Sequence, residues 1–368
     1  AGAQTINQKL ITTINSQNSY NDAYSLKYDI ASGAWVFGSY DTTSKKYTLI
    51  TPKGSSPEFS FAMQYNSLFD SDGNVYTIAY NNVTDTTYLY YLVKNNGITG
   101  EYSYISEGWA INNGKIYFAA ILDGKAMLIS YDTKTGEVTK GKAYDEIRLA
   151  NTSVSYREGE PVGFVGFTSY GKPYYIASEG DDVFLVIGED EQKHYSDISW
   201  YEMKFDAADN PCYVAKTFGK FETTHGGAML VHGKSEYRQF DYIYGPIEFD
   251  ASQKPLYVGQ DSTGAFKYRS TLMNADTPVK TVDGNIHSYM CSPSGKLAFV
   301  TAPDATDEKG EAVYINRIVY DGDESKPFGS ISNIQFSPKG KLTYVASDRK
   351  NKYFIIQGGE LISSAFDY

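Results

Sequence analysis

The sequence predicts an all-β protein, a β-propeller with eight blades of four antiparallel strands each. The prediction starts from residues 331–358, in which short apolar runs alternate with turn residues. Ile334 and Phe336 alternate with polar residues up to a Ser-Pro-Lys-Gly corner, and the alternation resumes at Leu342. A two-residue period is typical of a strand with one buried face, and Pro and Gly between such runs indicate tight turns. The unit is therefore a strand, a turn, a strand, a turn and a strand.

This unit recurs along the chain. Copies aligned on residues 336–346 without gaps begin at Phe69, Phe167, Phe205, Phe249 and Cys291, and two weaker copies begin at Tyr28 and Ala110. Consecutive copies start 38 to 45 residues apart, except for the 57 residues between positions 110 and 167. This period is typical of propeller blades, because one such sheet buries both faces only when neighbouring sheets stack on it. Seven blades is the alternative if the copy at Tyr28 or Ala110 is false.

Domain organisation follows from the repeat. We predict one propeller domain over residues 24–368, because the repeat runs through this whole range. Residues 1–23 match no copy and form either a tail or a ring-closing strand, since residues 10–14 resemble residues 361–365. The first four residues, Ala-Gly-Ala-Gln, resemble the mature end left by signal peptidase, which favours export.

Charge and hydropathy exclude two classes of partner. The formal net charge is −11 and no run of Lys or Arg occurs, which argues against nucleic acid and against anionic membranes. No apolar stretch approaches the roughly 20 residues that span a bilayer, so direct membrane insertion is not predicted.

Tyrosine is unusually frequent, with 34 residues. One interpretation is that many strand positions are half-buried, because tyrosine has an apolar ring and a polar tip. The other is an aromatic binding surface. The two cysteines, Cys212 and Cys291, lie in copies that are not neighbours, so we expect two buried thiols rather than a disulfide.

Two copies carry a family resemblance. Residues 336–346 (FSPKGKLTYVA) and 291–301 (CSPSGKLAFVT) resemble the Phe-Ser-Pro-Asp-Gly-Lys repeat of TolB-type, WD-repeat-like bacterial propellers. Lys339 and Ser294 stand where that repeat has Asp, and the Trp-Asp dipeptide is absent. The resemblance implies a propeller in the periplasm or at the cell surface, used as a protein-binding platform or as the gate domain of a peptidase. It implies no catalytic residue.

Local motifs for metals are weak, and we predict neither a metal nor a cofactor. The four histidines fall in no metal-binding spacing. Asp70, Asp72 and Asn74 resemble the start of a calcium loop, but the later bidentate Glu is missing. The same residues occupy the turn between two strands of a copy, so we interpret them as a turn.

Candidate binding residues come from position in the blade. First strands of propeller blades line the central channel, and five residues with large or charged side chains lie on or beside them: Trp109, Trp200, Glu202, Lys204 and Glu248. The alternative for both tryptophans is packing between blades. The long interval before position 167 predicts a loop at residues 151–160, with Tyr156, Arg157 and Glu158 as further binding candidates.

Two function classes remain. The first is an exported, non-catalytic scaffold at the cell envelope that binds another envelope protein or a glycan. The second is a propeller enzyme of the lyase, lactonase or peptidase-accessory type, or a glycan-binding module, with its site at the channel mouth. Three or more converging His, Asp, Glu or Arg side chains at the mouth would indicate the enzyme. Linear motifs do not decide between them, because propeller enzymes gather their residues from separate blades.

Overall fold

The structure is a computed structural model that describes residues 26–106, 108–148, 165–221, 226–264, 267–304, 315–348 and 352–366. These ranges consist of strands and turns, with one short 3-10 helix at Gln64–Asn66. No helix within them is long and apolar enough to cross a membrane. The described residues form two compact units, one within residues 26–166 and one within residues 167–366.

The first unit contains three antiparallel meanders. They have the strand orders β1-β2-β3-β4, β5-β7-β8-β9 and β10-β12-β13-β14, with β6 and β11 pairing with β7 and β12. The strands are β1 Leu26–Tyr28, β2 Trp35–Asp41, β3 Lys46–Thr51, β4 Gly54–Phe59, β5 Phe61–Ala62, β6 Leu68–Phe69, β7 Val75–Asn82, β8 Tyr88–Lys94, β9 Gly97–Tyr102, β10 Tyr104–Ile105, β11 Ala110–Asn112, β12 Lys115–Leu122, β13 Lys125–Asp132, β14 Val138–Tyr144 and β15 Glu146–Arg148.

The second unit continues the pattern, with strand orders β17-β18-β19, β20-β21-β22-β23, β24 to β30 in sequence, and β31-β32-β33-β34. The strands are β16 Gly166–Phe167, β17 Pro173–Glu179, β18 Asp182–Ile187, β19 Asp190–Glu191, β20 Asp197–Phe205, β21 Pro211–Lys216, β22 Ala228–His232, β23 Ser235–Phe240, β24 Tyr242–Phe249, β25 Pro255–Gly264, β26 Lys267–Asn274, β27 Thr277–Cys291, β28 Leu297–Pro303, β29 Arg317–Tyr320, β30 Asp323–Glu324, β31 Ser330–Phe336, β32 Leu342–Ser347, β33 Tyr353–Gln357 and β34 Glu360–Leu361.

These meanders confirm the predicted all-β propeller class. Every predicted copy start lies in the first strand of a strand–turn–strand unit, including the two weaker ones, Tyr28 in β1 and Ala110 in β11. The number of blades in a ring and the assignment of residues 24–368 to one domain stay predictions. Both cysteines are free thiols rather than a disulfide, as predicted; Cys212 is buried as expected, whereas Cys291 is only partly buried.

Strand β27 belongs to two successive meanders. Its first half pairs with β26 and its second half with β28, and Gly284 pairs with both Arg269 and Pro303. Gly284 has φ +124°, and a Cβ there would lie 2.5 Å from the Ala302 carbonyl oxygen. Only glycine tolerates this backbone and this close approach, so Gly284 marks the point at which the strand leaves one sheet and enters the next.

The cores lie between neighbouring sheets and come mainly from second and third strands, for example Tyr76 and Ile78 against Phe118. The repeat predicts that the phenylalanine at the start of a copy, which we call the anchor, is buried between blades, and this prediction is wrong in degree. The anchors are half-buried at the edges of these cores, because each ends a first strand beside a turn: Phe69, Phe167, Phe205, Phe249 and Phe336.

The turn after each first strand is braced by the residue that follows the anchor. The Asp70 carboxylate accepts hydrogen bonds from the backbone N–H groups of Asp72 and Asn74, from the Asn74 amide and from the Tyr76 hydroxyl. Burial would raise the pKa of Asp70, but these hydrogen bonds outweigh it and hold that pKa below its usual range. The interpretation of this segment as a turn is therefore confirmed.

Two of these turns are also tied to a neighbouring turn. Asp209 and Gln253 both have φ 61° at a position that glycine occupies in other copies. The Asp209 carboxylate accepts hydrogen bonds from the backbone N–H groups of Ser169, at 3.1 Å, and Tyr170, at 3.3 Å. Gln253 Oε1 accepts one from the Ala207 N–H at 2.9 Å. A positive φ strains a residue that has a side chain. Here the hydrogen bonds accepted by the Asp209 and Gln253 side chains, which a glycine could not accept, offset that strain.

Candidate functional site

The predicted channel residues are only partly brought together. Lys204 on β20 and Glu248 on β24 form an ion pair with Nζ and Oε1 2.8 Å apart, and their role in binding stays a prediction. Their side chains are 42% and 38% exposed, and an exposed pair contributes about 0–1 kcal/mol. Trp200 and Glu202 lie on the same strand as Lys204. The Lys204–Glu248 pair alone is a weak site.

The tryptophan and loop candidates fall elsewhere. Trp109 is 1% exposed and packs in the core between β7–β8 and β12–β13, as the packing alternative holds. Its indole N–H has no hydrogen-bond acceptor among the described residues. Tyr156, Arg157 and Glu158 lie outside the described residues, so their role in binding stays a prediction.

A polar cluster lies between β18 and β23 in the second unit. Two adjoining surface hollows of about 350 and 340 Å³ share Lys193 and Tyr195. Glu236 Oε1 accepts hydrogen bonds from Lys193 Nζ at 2.6 Å and from the Tyr195 hydroxyl at 2.7 Å. These two hydrogen bonds lower the pKa of Glu236. Burial is the larger cause, and the hydrogen bond to Glu236 the second, of the raised pKa of Tyr195. The carboxylate and phenol therefore satisfy each other, and the cluster has the chemistry of a structural contact.

The most extensive functional candidate is a row of aromatic rings in the first unit. We call it the tyrosine row. It consists of Tyr40, Tyr47, Phe61, Tyr80, Tyr88, Tyr90 and Tyr104.

Strand register builds the row inside each sheet. Tyr40 on β2 pairs with Tyr47 on β3. Tyr80 on β7 pairs on one side with Phe61 and on the other with Tyr90. Directly paired residues point to the same face of a sheet, so their rings come into contact.

Stacking of neighbouring sheets then joins these pairs. Tyr47 contacts Phe61 from the next meander, and Tyr90 contacts Tyr104 from the one after it. The ring centroids from Tyr40 through to Tyr104 are 4.7 to 5.4 Å apart at each step. The row therefore crosses three successive sheets without a break.

The row is partly open to solvent and carries no charge of its own. Tyr88 and Tyr104 are each 39% exposed, and the other five rings are half-buried. Polar groups lie beside it. The Ser60 N–H donates to Asn81 Oδ1 at 2.8 Å, and Ser60 Oγ accepts from the Asn82 N–H and from Lys46 Nζ, each at 3.1 Å. The surface thus combines ring edges and faces with hydroxyl and amide groups.

The equivalent positions of the second unit show that the blade does not require these rings. Tyr80 is the eleventh residue after the copy start Phe69, and the eleventh residues after Phe205, Phe249 and Phe336 are polar. In the first unit Tyr80 and its strand partners on either side form the triplet Phe61-Tyr80-Tyr90. The equivalent triplets of the second unit, with the residue equivalent to Tyr80 in the middle, are Asp197-Lys216-Ala228, Tyr242-Gln260-Ser270 and Ser330-Ser347-Tyr353. An aromatic residue at this position is therefore not a general requirement of the blade.

Sequence reasoning noted the tyrosines but did not locate the row. The available signal is the placement of Tyr40 and Tyr47, and of Tyr80 and Tyr90, on the two sides of a hairpin turn. Among the described residues, no group of three or more His, Cys, Asp or Glu side chains is placed to hold a metal ion.

Comparisons with known proteins returned structural similarities alone. No protein-family model and no curated protein matches the sequence. The structure described as the Dos1 propeller is 13% identical and covers 94% of this chain and 93% of its own, with a TM-score of 0.33. The polysaccharide lyase Uly1 is 9% identical, covers 71% and 80%, and has a TM-score of 0.32. The β-propeller domain of the Trilobed protease from Pyrococcus furiosus is 12% identical, covers 79% and 91%, and has a TM-score of 0.29.

Proposed function

We propose that this chain is a non-catalytic, TolB-like binding propeller, exported to the periplasm or the cell surface, where it binds another envelope protein or a glycan. The tyrosine row carries the proposal. Aromatic side chains supply most of the binding energy at recognition surfaces, because they bring large contact area with few rotatable bonds to order. Contacts between aromatic rings also stabilise the fold, by about 0.5–1.5 kcal/mol for each pair. The equivalent triplets of the second unit have polar central residues, so a blade folds without an aromatic residue at this position.

The experiment compares capture with turnover. The immobilised chain is exposed to a native envelope extract and to envelope polysaccharides, alongside the double variant Tyr88→Ala/Tyr104→Ala. These two rings are the most exposed of the row, so the variant is expected to fold and to lose capture. Tyr170→Ala is the matched control, because that ring is 77% exposed and lies in the second unit, outside the row. Equal capture by all three proteins, or turnover of a sugar acid, lactone or peptide by the purified chain, would contradict the proposal.

A second variant tests the predicted loop. Deleting residues 151–160 is expected to leave the melting temperature nearly unchanged, because the closure entropy of a loop depends only weakly on its length. Capture by this variant is expected to weaken if Tyr156, Arg157 and Glu158 contact the same partner as the tyrosine row. Unchanged capture would remove these three residues from the binding surface.

A further inference from the structure

We propose that the ligand of the tyrosine row is a neutral, linear polysaccharide. The inference rests on the proposed binding function and names the class of ligand for that same surface.

The shape of the row fits an extended polymer. From Tyr40 to Tyr104 each ring contacts the next, and Tyr88 adds contacts with Tyr80 and Tyr90. A protein partner usually buries a broad patch of about 800 Å² on each side, with an apolar centre and a polar rim. The row is instead a succession of ring contacts across three sheets. A polymer of similar units can contact each ring in turn.

The chemistry of the row fits sugar rings. The faces of aromatic rings carry partial negative charge, and the C–H groups on the faces of a pyranose carry partial positive charge, so the two pack together. Tyr88, which is 39% exposed, also carries a phenol hydroxyl, a group that donates to or accepts from sugar hydroxyls. Asn82 is exposed beside Tyr88, with which it pairs across the hairpin, and adds an amide to this edge.

Charge selects against acidic polymers. The row contains no basic side chain, and the whole chain has a formal net charge of −11. An anionic polysaccharide would find one cation near one end of the row, Lys46, whose Nζ donates to Ser60 Oγ at 3.1 Å, but it would also meet the repulsive field of the whole chain. A neutral polymer avoids that cost.

The test uses affinity electrophoresis and pull-down with named polymers. Neutral probes are cellulose, chitin and soluble mixed-linkage β-glucan, and the acidic probe is polygalacturonate. We expect retention by at least one neutral polymer and none by polygalacturonate. Tyr88→Ala and Tyr104→Ala are each expected to weaken retention about five- to tenfold, as for hot-spot aromatic residues, while Tyr170→Ala leaves it unchanged. With soluble oligosaccharides of the retained polymer, affinity is expected to rise with length until the row is spanned.

The outcomes separate this inference from the proposed function. Lack of retention by every neutral polymer, a preference for polygalacturonate, or equal retention of the double variant Tyr88→Ala/Tyr104→Ala would overturn the glycan assignment. If the double variant instead loses an envelope protein that the native chain captures, the partner is a protein and the binding function stands. Release of new reducing ends from a retained polymer would overturn the non-catalytic function itself.

Discussion

Replacing Gly284 by alanine tests how β27 is shared between two meanders. A Cβ at this position would lie 2.5 Å from the Ala302 carbonyl oxygen, 2.6 Å from the Asp304 nitrogen and 2.8 Å from Pro303 Cα. All three are backbone atoms of the neighbouring strand and its end, so no flexible side chain can move away. The φ of +124° adds a second cost, because side-chain residues rarely adopt it.

The two costs set the expected magnitude. Backbone strain contributes about 1–3 kcal/mol and the forced shift of packed atoms another 1–3 kcal/mol, roughly 2–6 kcal/mol together. For a cooperative unit of about 200 residues, each kcal/mol lowers the melting temperature by about 2–4 °C. Gly284→Ala is therefore expected to lower the melting temperature of the second unit by about 4–24 °C, measured by calorimetry and by circular dichroism.

Gly264→Ala is the matched control within the same sheet. A Cβ at Gly264 has no heavy atom within 4 Å, and the φ of this residue lies outside the left-handed region. The melting temperature of the Gly264→Ala variant is expected to stay within about 1–2 °C of that of the native protein, as for a substitution at an exposed position. If Gly284→Ala behaves like this control, β27 does not pass between two sheets at this residue and the strand pairing described above is wrong.

Three further predictions address the turns, the thiols and the anchors. Asp209→Gly keeps the left-handed backbone but removes the carboxylate. Burial would raise the pKa of Asp209, but hydrogen bonds from Ser169 and Tyr170 outweigh it and lower the pKa. The hydrogen bonds of the Asp209 carboxylate thus stabilise the folded protein above the unfolded-state pKa of about 4, and this stabilisation is lost as the pH falls through the folded-state pKa. The melting temperatures of the native protein and of Asp209→Gly are therefore expected to converge in acid. A constant difference between them down to about pH 2 would contradict this. Burial raises the pKa of both cysteine thiols. Cys212, which is buried, is expected to react with a thiol reagent only on unfolding, and Cys291, which is partly buried, is expected to react sooner. Equal reaction rates would contradict this difference in burial, and a mass change on reduction would show a disulfide. Phe336→Ala is expected to lower the free energy of unfolding, measured by denaturant titration, by about 2 kcal/mol. This is less than the roughly 3–5 kcal/mol of a fully buried ring, because Phe336 is half-buried against Tyr320. A loss above about 4 kcal/mol would mean that Phe336 is central to the core.

The sequence by itself determined the repeat. Alternation of apolar residues, and turn residues such as Gly340 or Gly73, act over a few neighbours in the chain, so strands, hairpins and all eight copy starts could be placed without coordinates. The separation of Cys212 from Cys291 followed from the same periodicity.

Only the tertiary structure decided which of these strands share a surface and how deeply each residue is buried. Tyr47 and Phe61 meet because two sheets stack, and Tyr80 meets Phe61 and Tyr90 because of strand register, a one-residue slip of which would turn the ring to the other face. The degree of burial of Phe336 likewise depends on its distance from the edge of the stack. A local pattern assigns each tyrosine to a strand, whereas a continuous aromatic surface requires the register and the stacking of three sheets together.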